Sequence, residues 1–134
     1  MREVVIVDGV RSAFTNFGGG LRTLASVDIA SRVVDGLLEK TGILERGTVD
    51  SLIAGCALGD YKCKDIARYV VLQSKLPTET SGTFVEMQCG SAITSVNHAA
   101  AMIGAGYADV MVVGGMESYS TLLAEFDMNV PPYK

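Results

Sequence analysis

Two patterns of apolar and polar residues alternate along this chain of 134 residues. The first is a short apolar run rich in β-branched residues, which is typical of a strand buried on both faces. Such runs lie at Val4–Val7, Val49–Leu58, Gly82–Met87 and Asp109–Val113. The second is a longer segment with apolar residues at helical spacing. Such segments run from Ser26 or Asp28 to Lys40, over Asp65–Lys75 and over Gly90–Gly104.

The resulting order, β-α-β-α-β-α-β, predicts an α/β domain with a mostly parallel sheet and right-handed crossovers. Ligands of such sheets bind beyond the carboxyl ends of the strands. Three of these ends carry residues of chemical interest: the glycine-rich loop at 18–20, the turn at Cys89 and the turn from Gly114 to Glu117. These turns are therefore the candidate functional regions.

The helix that follows Cys89 has an unusual composition. No residue from Gly90 to Gly104 is charged, and a helix without a charged face is typically buried all round. We therefore predict a buried central helix whose first turn lies inside the molecule, at the end of a strand.

Composition excludes several classes of protein. Apolar residues make up 49% of the chain and charged residues 19%, a balance that excludes intrinsic disorder. The net charge of −4 argues against nucleic-acid binding, and no apolar run approaches the ~20 residues of a membrane span. Three cysteines make no disulfide framework, and one histidine argues against a zinc site. We expect a metal-free protein of the reduced cytoplasm, without a leader peptide.

Charge is also unevenly placed along the sequence. Residues 76–133 contain no lysine or arginine, whereas a free protein surface usually mixes both signs of charge. This pattern predicts that another polypeptide covers the second half of the chain.

Cys89 is the strongest candidate for a reactive residue. It lies between a predicted strand and the helix that begins at Gly90, in a turn that presents one side chain sharply. The free N–H groups and partial positive charge of a helix N-terminus favour a thiolate, and the amides of Cys89 and Gly90 would help to hold an oxyanion. Position alone leaves a buried structural cysteine open as the alternative. Cys56 lies in an apolar run and is predicted to be a core residue, whereas Cys63 lies in a polar loop where nothing orients it for catalysis.

Several segments form an ordered set of motifs. They are Val10–Ser12 with Phe17–Gly19, Gly59–Arg68, Gln88–Ser91 and Ala105–Ser120. In this order they resemble the "VRTP…FGG", "G…NPAR", "CGSG" and "AGxADVxxAGGMExMS" motifs of the thiolase family, which comprises acetyl-CoA acetyltransferases and 3-ketoacyl-CoA thiolases. The resemblance covers the chain to about residue 123 and concerns the N-terminal part of these enzymes.

The resemblance implies Claisen chemistry on coenzyme A thioesters. In thiolases a cysteine thiolate attacks a 3-ketoacyl-CoA, acetyl-CoA leaves, and a second coenzyme A accepts the acyl group. By this resemblance Cys89 is the acyl-accepting nucleophile, and Gly114, Gly115, Met116 and Glu117 form a structural turn near the site. Coenzyme A and acyl-CoA enter as substrates, without a tightly bound cofactor or a metal.

The sequence also departs from the family pattern. The family's activating histidine lies in a "GHP" motif, its acid–base cysteine in a "CxG" motif and part of its oxyanion site in an "NEA" segment, and none of these is present. His98 does not replace the missing base, because nine residues of helix separate it from Cys89 by roughly 13 Å. We expect residues 1–118 to form an incomplete N-terminal core and residues 119–134 to lead toward the family's loop domain.

The leading hypothesis is therefore the N-terminal subunit of a two-chain thiolase, a hetero-oligomer. A second thiolase-like chain would supply the loop domain, the catalytic histidine and the second cysteine, and a homologous dimer mate would pair through the strand at 82–87. The alternatives are a non-catalytic scaffold or acyl-CoA-binding subunit, half of a ketoacyl or hydroxymethylglutaryl synthase, and a truncated enzyme. The intact Gln88–Ser91 segment argues against the scaffold, and the "GGME" turn and "FGG" loop favour a thiolase.

Overall fold

The computed structural model describes residues 2–59 and 63–122. In these ranges the helices are α1 (Ser26–Thr41), α2 (Ile43–Arg46), α3 (Ile66–Gln73) and α4 (Ser91–Ala105). The strands are β1 (Ser51–Gly55), β2 (Ser81–Val85) and β3 (Met111–Gly115), and a 3₁₀ turn follows at Tyr119–Thr121. From β1 onward, strands and helices alternate as the hydrophobic pattern predicts.

The three strands form one parallel sheet in the order β2-β1-β3. The central strand, β1, is buried at every residue. Its Ile53 is paired with Thr83 of β2 and with Val113 of β3. The predicted α/β class and its parallel sheet are therefore confirmed.

Helices α3 and α4 cover opposite faces of this sheet. A Cβ on Gly82 would meet the backbone of α3, whereas a Cβ on Gly55 would meet the backbone of Ser91 in α4. Because successive strand residues point to opposite faces, Leu52, which pairs with Gly82, faces α3, and Ile53 faces α4. Helix α1 packs against α3, so the apolar core lies between these two helices and β1.

Local signals determine where α1 begins and ends. The Ala25 N–H donates to the Asp28 carboxylate at 3.1 Å, which satisfies a free backbone donor and places a negative charge in the first turn. Gly42 ends the helix in the left-handed region at a φ of 59°, and its N–H donates to the Leu38 carbonyl at 2.9 Å. The helix therefore spans nearly the predicted range.

The strand predicted at Val4–Val7 does not form. Its last three side chains are 67–86% exposed, and the segment has no neighbour in the sheet that the structure describes. A strand needs a hydrogen-bonded neighbour to satisfy its backbone. Instead, ion pairs hold the two ends of the segment; they join Arg2 to Asp109 and Asp8 to Lys40. The predicted order β-α-β-α-β-α-β is thus wrong at its first element.

Helix α4 begins where it is predicted to begin, but it is buried on one face only. Ser91, Ser95, Ala99 and Gly104 are buried, whereas Ile93 on the outer side is 61% exposed. The prediction of a helix buried all round is therefore wrong for this chain by itself. The physical reason is that, within the described residues, α4 packs mainly against the sheet, which covers one face of the helix.

The last described residues connect back to the start of the fold. The Ser118 hydroxyl donates to the Leu24 carbonyl at 2.8 Å, and the Gly18 N–H donates to the Ser120 hydroxyl at 3.0 Å. Most of the extension predicted at 119–134 lies outside the described residues, so the division at residue 118 stays a prediction. None of the helices described here has the length and apolarity that a membrane crossing requires.

Candidate functional site

Cys89 lies in a tight turn between β2 and α4. Its side chain is exposed, and α4 begins two residues later. The Gly90 N–H donates to the Met87 carbonyl at 2.9 Å, and the Ser91 N–H donates to the Gln88 carbonyl at 3.1 Å. Two successive turn bonds therefore fold the backbone around Cys89 and leave its thiol accessible.

Gln88, immediately before Cys89, has a φ of +50°. This left-handed conformation is costly for a residue with a Cβ. Two hydrogen bonds to the Glu86 carboxylate offset the cost: one from the Gln88 backbone N–H at 2.7 Å and one from its side-chain amide at 3.1 Å. Among the described residues, the one non-glycine residue with a positive φ thus lies next to the candidate nucleophile, and such backbone strain is often found at functional sites.

Ser91 lies beneath this turn, with 3% of its surface exposed. Its Oγ accepts the Met87 N–H at 2.8 Å and donates to the Gln88 carbonyl at 2.7 Å. The Cys56 carbonyl, beyond the end of β1, lies 3.4 Å from the same oxygen. One hydroxyl therefore links the start of α4 to the backbone on both sides of Gln88.

Two glycines at the carboxyl ends of β1 and β3 let α4 approach the sheet. A Cβ on Gly55 would lie 2.4 Å from the carbonyl carbon of Ser91, and a Cβ on Gly115 would lie 2.6 Å from the Cβ of Ala92. Neither distance is possible between real atoms, so any other residue would push the helix away. The Cys89 turn therefore rests on two strand ends, the edge where α/β sheets bind ligands.

The predicted turn of Gly114, Gly115, Met116 and Glu117 lies at this same edge. The Met116 side chain is buried. Its N–H donates to the Gly55 carbonyl at 2.9 Å, which extends the pairing of β3 with β1 by one bond. The turn and the first turn of α4 are thus brought together by contacts with the same strand end.

Glu117 connects this turn to the loop after β1. Its carboxylate accepts the Ala57 N–H at 2.9 Å and the Cys56 thiol at 3.3 Å. Burial raises the pKa of the Cys56 thiol to about 11, and the neighbouring Glu117 carboxylate adds to the rise. Cys56 is therefore a protonated core thiol at neutral pH, which confirms the prediction made from its apolar surroundings.

The other candidates do not meet Cys89. Cys63 is half-buried before α3, and its thiol donates to the Asp65 carbonyl at 3.4 Å. His98, the single histidine of the sequence, is exposed on α4, nine residues beyond Cys89, and is not a core residue of this chain. No group of three or more potential metal ligands occurs in the described ranges.

Sequence reasoning identified Cys89 and the turn at 114–117 but missed Ser91 and Gly55. Ser91 follows Cys89 within the quoted motif, and Gly55 ends an apolar run, so both carried a weak local signal. The role of Gly55 arises from its contact with Ser91, 36 positions later in the chain, and that of Ser91 from the backbone turn at Gln88 that brings its hydroxyl to two main-chain groups; the residue pattern reveals neither.

Comparison with known proteins places this geometry in a family. The family model described as "Thiolase, N-terminal domain" matches residues 4–130. This chain belongs to the thiolase family. Its resemblance to thiolases at the motifs above is thus confirmed over nearly the whole sequence.

Curated relatives are thiolases from several bacteria. A 3-oxoadipyl-CoA/3-oxo-5,6-dehydrosuberyl-CoA thiolase of Escherichia coli K12 is 35% identical over 122 residues, which are 90% of this chain and 30% of that protein. The steroid 3-ketoacyl-CoA thiolase FadA6 of Mycobacterium tuberculosis is 36% identical over 132 residues, which are 97% of this chain and 32% of that protein. The chain therefore spans about a third of the length of these relatives.

Solved thiolase structures share the fold. The Bacillus anthracis acetyl-CoA acetyltransferase superposes with a TM-score of 0.78 at 25% identity, over 88% of this chain and 31% of that one. The Acat5 thiolase of Ascaris suum, solved in complex with coenzyme A, gives a TM-score of 0.77 at 23% identity, over 87% of this chain and 30% of that one. The α/β arrangement described above is therefore a thiolase arrangement.

Proposed function

We propose that this chain supplies the nucleophile-bearing part of a thiolase that transfers acyl groups to and from coenzyme A, with Cys89 as the acyl carrier. The observation that carries the proposal is the place of Cys89. It is an exposed thiol in a hydrogen-bonded turn at the carboxyl end of the sheet, within the segment that matches the thiolase N-terminal domain. Relatives named as thiolases and acetyl-CoA acetyltransferases support this reaction class.

The proposed reaction consists of two acyl transfers. The Cys89 thiolate adds to the 3-keto carbon of a 3-ketoacyl-CoA, the bond between C2 and C3 breaks, and acetyl-CoA leaves with the electron pair and takes up a proton. The thiolate of a second coenzyme A then attacks the acyl-cysteine and releases a shortened acyl-CoA with the Cys89 thiolate. The covalent intermediate divides one difficult carbon–carbon step into two easier steps. Run in reverse, the same steps give a Claisen condensation.

In this proposal the backbone N–H of Cys89 supports the oxyanion. The Gly90 N–H, which the sequence also favours for this role, already donates to the Met87 carbonyl at 2.9 Å and is engaged in the turn. Gly90 instead keeps the turn compact, because a Cβ there would lie 3.2 Å from the Met87 carbonyl oxygen. The missing side chain also leaves room for a substrate beside the thiol.

We further propose that a second thiolase-like chain supplies the acid–base groups and the loop domain. The single histidine, His98, is too far along α4 to reach Cys89. The outer face of α4 and the segment 4–7 expose apolar side chains, and such surfaces are typical of interaction sites. A homologous dimer mate would pair along the outer edge of β2. The cytoplasmic setting and the absence of a bound cofactor stay predictions.

Mass spectrometry of the cysteines tests the proposal. The chain is incubated with acetyl-CoA or acetoacetyl-CoA, both alone and co-expressed with a chain of the same genome that carries the remaining thiolase motifs. We expect an acetyl adduct on Cys89 in the complex only. Cys63→Ala, a control at a half-buried thiol outside the turn, should keep the adduct, and Cys89→Ala should lose it.

Three results would contradict parts of this proposal. An adduct on Cys63 in place of Cys89 would overturn the choice of nucleophile. Acetylation of the chain without its partner would overturn the need for a second chain. Full thiolase activity of a complex that carries Cys89→Ala would show that this chain is a non-catalytic scaffold.

A further inference from the structure

We propose that the Ser91 hydroxyl is a positioning residue that holds Cys89 in the geometry needed for acyl transfer. This inference rests on the function proposed above. Ser91 is not a group that meets substrate, because its side chain lies beneath the turn and is buried. Its role is inferred from what it binds on the protein side of Cys89.

A single hydroxyl satisfies two backbone groups. Its oxygen accepts the Met87 N–H at 2.8 Å, and its proton is donated to the Gln88 carbonyl at 2.7 Å. The two contacts lie on either side of the Gln88 α-carbon, where the chain adopts a φ of +50°. A rotation of the backbone at Gln88 would displace Cys89 and would break these bonds. The hydroxyl therefore stabilises the one backbone conformation that presents the thiol.

The hydroxyl is itself tied to the sheet. The main chain of Ser91 packs directly on Gly55, and the Cys56 carbonyl lies 3.4 Å from the Ser91 Oγ. From the other side, the Glu117 carboxylate accepts the Cys56 thiol at 3.3 Å. The position of Cys89 is thus fixed relative to a buried central strand, and functional groups supported in this way are held most accurately.

Loss of the hydroxyl should loosen the turn without removing it. In Ser91→Ala the Met87 N–H loses its partner, while the Gln88 carbonyl keeps the bond from the Ser91 backbone N–H at 3.1 Å. A displacement of ~1 Å at a reacting group costs roughly a hundredfold in rate. We therefore expect Cys89 of this variant to be acetylated roughly 10- to 100-fold more slowly at saturating acetyl-CoA, with little change in KM.

Ser95 offers a matched control one helical turn later. It is fully buried on the same face of α4, and its hydroxyl donates to the Ala92 carbonyl at 2.7 Å. Its bonds go to Ala92 and Gly114, and none reaches the turn that holds Cys89. Ser95→Ala therefore removes an equivalent buried hydroxyl and should leave the acetylation rate close to that of the wild type.

The experiment compares single-turnover acetylation of Cys89 in the two-chain complex for the wild type, S91A, S91T and S95A. Thermal midpoints report folding, and the rate of iodoacetamide alkylation reports access to the thiol. We expect slow acetylation in S91A alone, recovery in S91T because the hydroxyl returns, and similar alkylation rates in all four proteins.

The inference is overturned if S91A is acetylated as fast as S95A. It is also overturned if S91T is as slow as S91A although its thermal midpoint equals that of the wild type. A wild-type complex that forms no acetyl adduct contradicts the proposed function itself, and this result is distinguishable because Ser91 is then intact.

Discussion

At the scale of single residues, environment separates three chemically identical thiols. Cys89 is exposed at the start of α4, Cys63 is half-buried before α3, and Cys56 is buried beside the Glu117 carboxylate. Thiol reactivity follows the fraction of thiolate and its access to reagents. Cys89 is therefore the most accessible of the three thiols, which favours it as the acyl carrier that we propose.

Alkylation of the native chain tests this separation. At about pH 8 we expect iodoacetamide to modify Cys89 and to leave Cys56 unmodified, because Cys56 is buried and its pKa is about 11. Peptide mapping by mass spectrometry locates the modified thiols, and denaturant should make both react. Native-state modification of Cys56 at the rate of Cys89 would contradict the description of the core.

The Cys56 thiol also makes stability depend on alkaline pH. Its pKa rises from the ordinary value of 9.0 to about 11 on folding, so between these values the folded state keeps a proton that the unfolded state has lost. Stability is therefore intact below about pH 9 and falls as the pH rises toward 11. Cys56→Ser keeps a hydrogen-bond donor for Glu117, but serine does not titrate between pH 9 and about 11. The free energy of unfolding of this variant, measured by urea denaturation, should therefore fall less steeply with pH than that of the wild type. If the unfolding free energies of the two proteins fall equally steeply with pH, the prediction is wrong.

At the scale of elements, the contact between α4 and the sheet depends on glycine. In β3, a Cβ on Gly115 would collide with Ala92, whereas a Cβ on Gly114 would meet nothing within 4 Å. The two neighbours therefore provide a matched pair of substitutions.

We expect Gly115→Ala to lower the free energy of unfolding by about 1–3 kcal/mol, because overpacking forces the helix away from the sheet. Gly114→Ala should have little effect on it. Gly55→Ala should be more damaging than Gly115→Ala, since its Cβ would lie within 2.7 Å of three backbone atoms of Ser91 and Ala92, whereas a Cβ on Gly115 would clash with one methyl carbon. Urea denaturation measures all three, and equal stabilities of the Gly114 and Gly115 variants would contradict the packing.

A carboxylate joins the starts of β1 and β3. Asp50 accepts the N–H of Val110 at 3.0 Å and that of Asp109 at 2.7 Å. These two backbone bonds lower the pKa of Asp50. A lowered pKa means that the stabilisation is present above the ordinary value for aspartate and is lost as the pH falls through the folded-state value.

Asp50→Asn should therefore destabilise the chain by about 1 kcal/mol at neutral pH, less than the usual contribution of a hydrogen bond to a charged group because Asp50 is exposed to solvent. The variant should also lose less stability than the wild type on acidification. Glu79→Gln, at an exposed acid, is the control and should leave the acid dependence unchanged. Acid denaturation curves that coincide for the wild type and Asp50→Asn would rule out this role.

At the scale of the whole molecule, the segment Val4–Val7 is an apolar sequence that has no strand beside it in the part of the chain that the structure describes. Its ends are anchored by ion pairs, yet its central side chains face solvent. An exposed apolar segment rich in β-branched residues can pair with a strand of another chain. It therefore belongs with the surfaces that we propose a second chain covers.

Hydrogen exchange tests that proposal without any catalytic assay. We expect the amides of residues 5–7 to exchange rapidly in the chain alone and to become protected in the complex with the second thiolase-like chain, because pairing satisfies their N–H groups. The amides of β1 should be protected in both samples. Rapid exchange at residues 5–7 in the assembled complex would contradict this use of the segment.

Most of the fold could be predicted from local patterns, and the failures have physical causes. The buried run around β1, the glycine stop of α1 and the start of α4 all depend on residues close in sequence, so periodicity and caps identified them. The predictions of a buried strand at Val4–Val7 and of a helix α4 buried on all faces were wrong. Both segments have the composition of buried elements, but the described residues do not cover their apolar side chains.

By itself, the sequence determined the α/β class, the parallel strands from β1 onward, the place of Cys89 at a strand–helix junction and membership of the thiolase family. These follow from hydrophobic periodicity and from motifs carried by neighbouring residues. Only the tertiary structure decided that Ser91 braces the Cys89 turn, that Gly55 and Gly115 admit α4, that Glu117 binds the Cys56 thiol and that the Gly90 N–H is already engaged. The contacts of Gly55, Gly115 and Glu117 join residues distant in the chain, and those of Ser91 and Gly90 depend on the left-handed turn that the backbone makes at Gln88, so all of them exist only once the sheet and its helices are assembled.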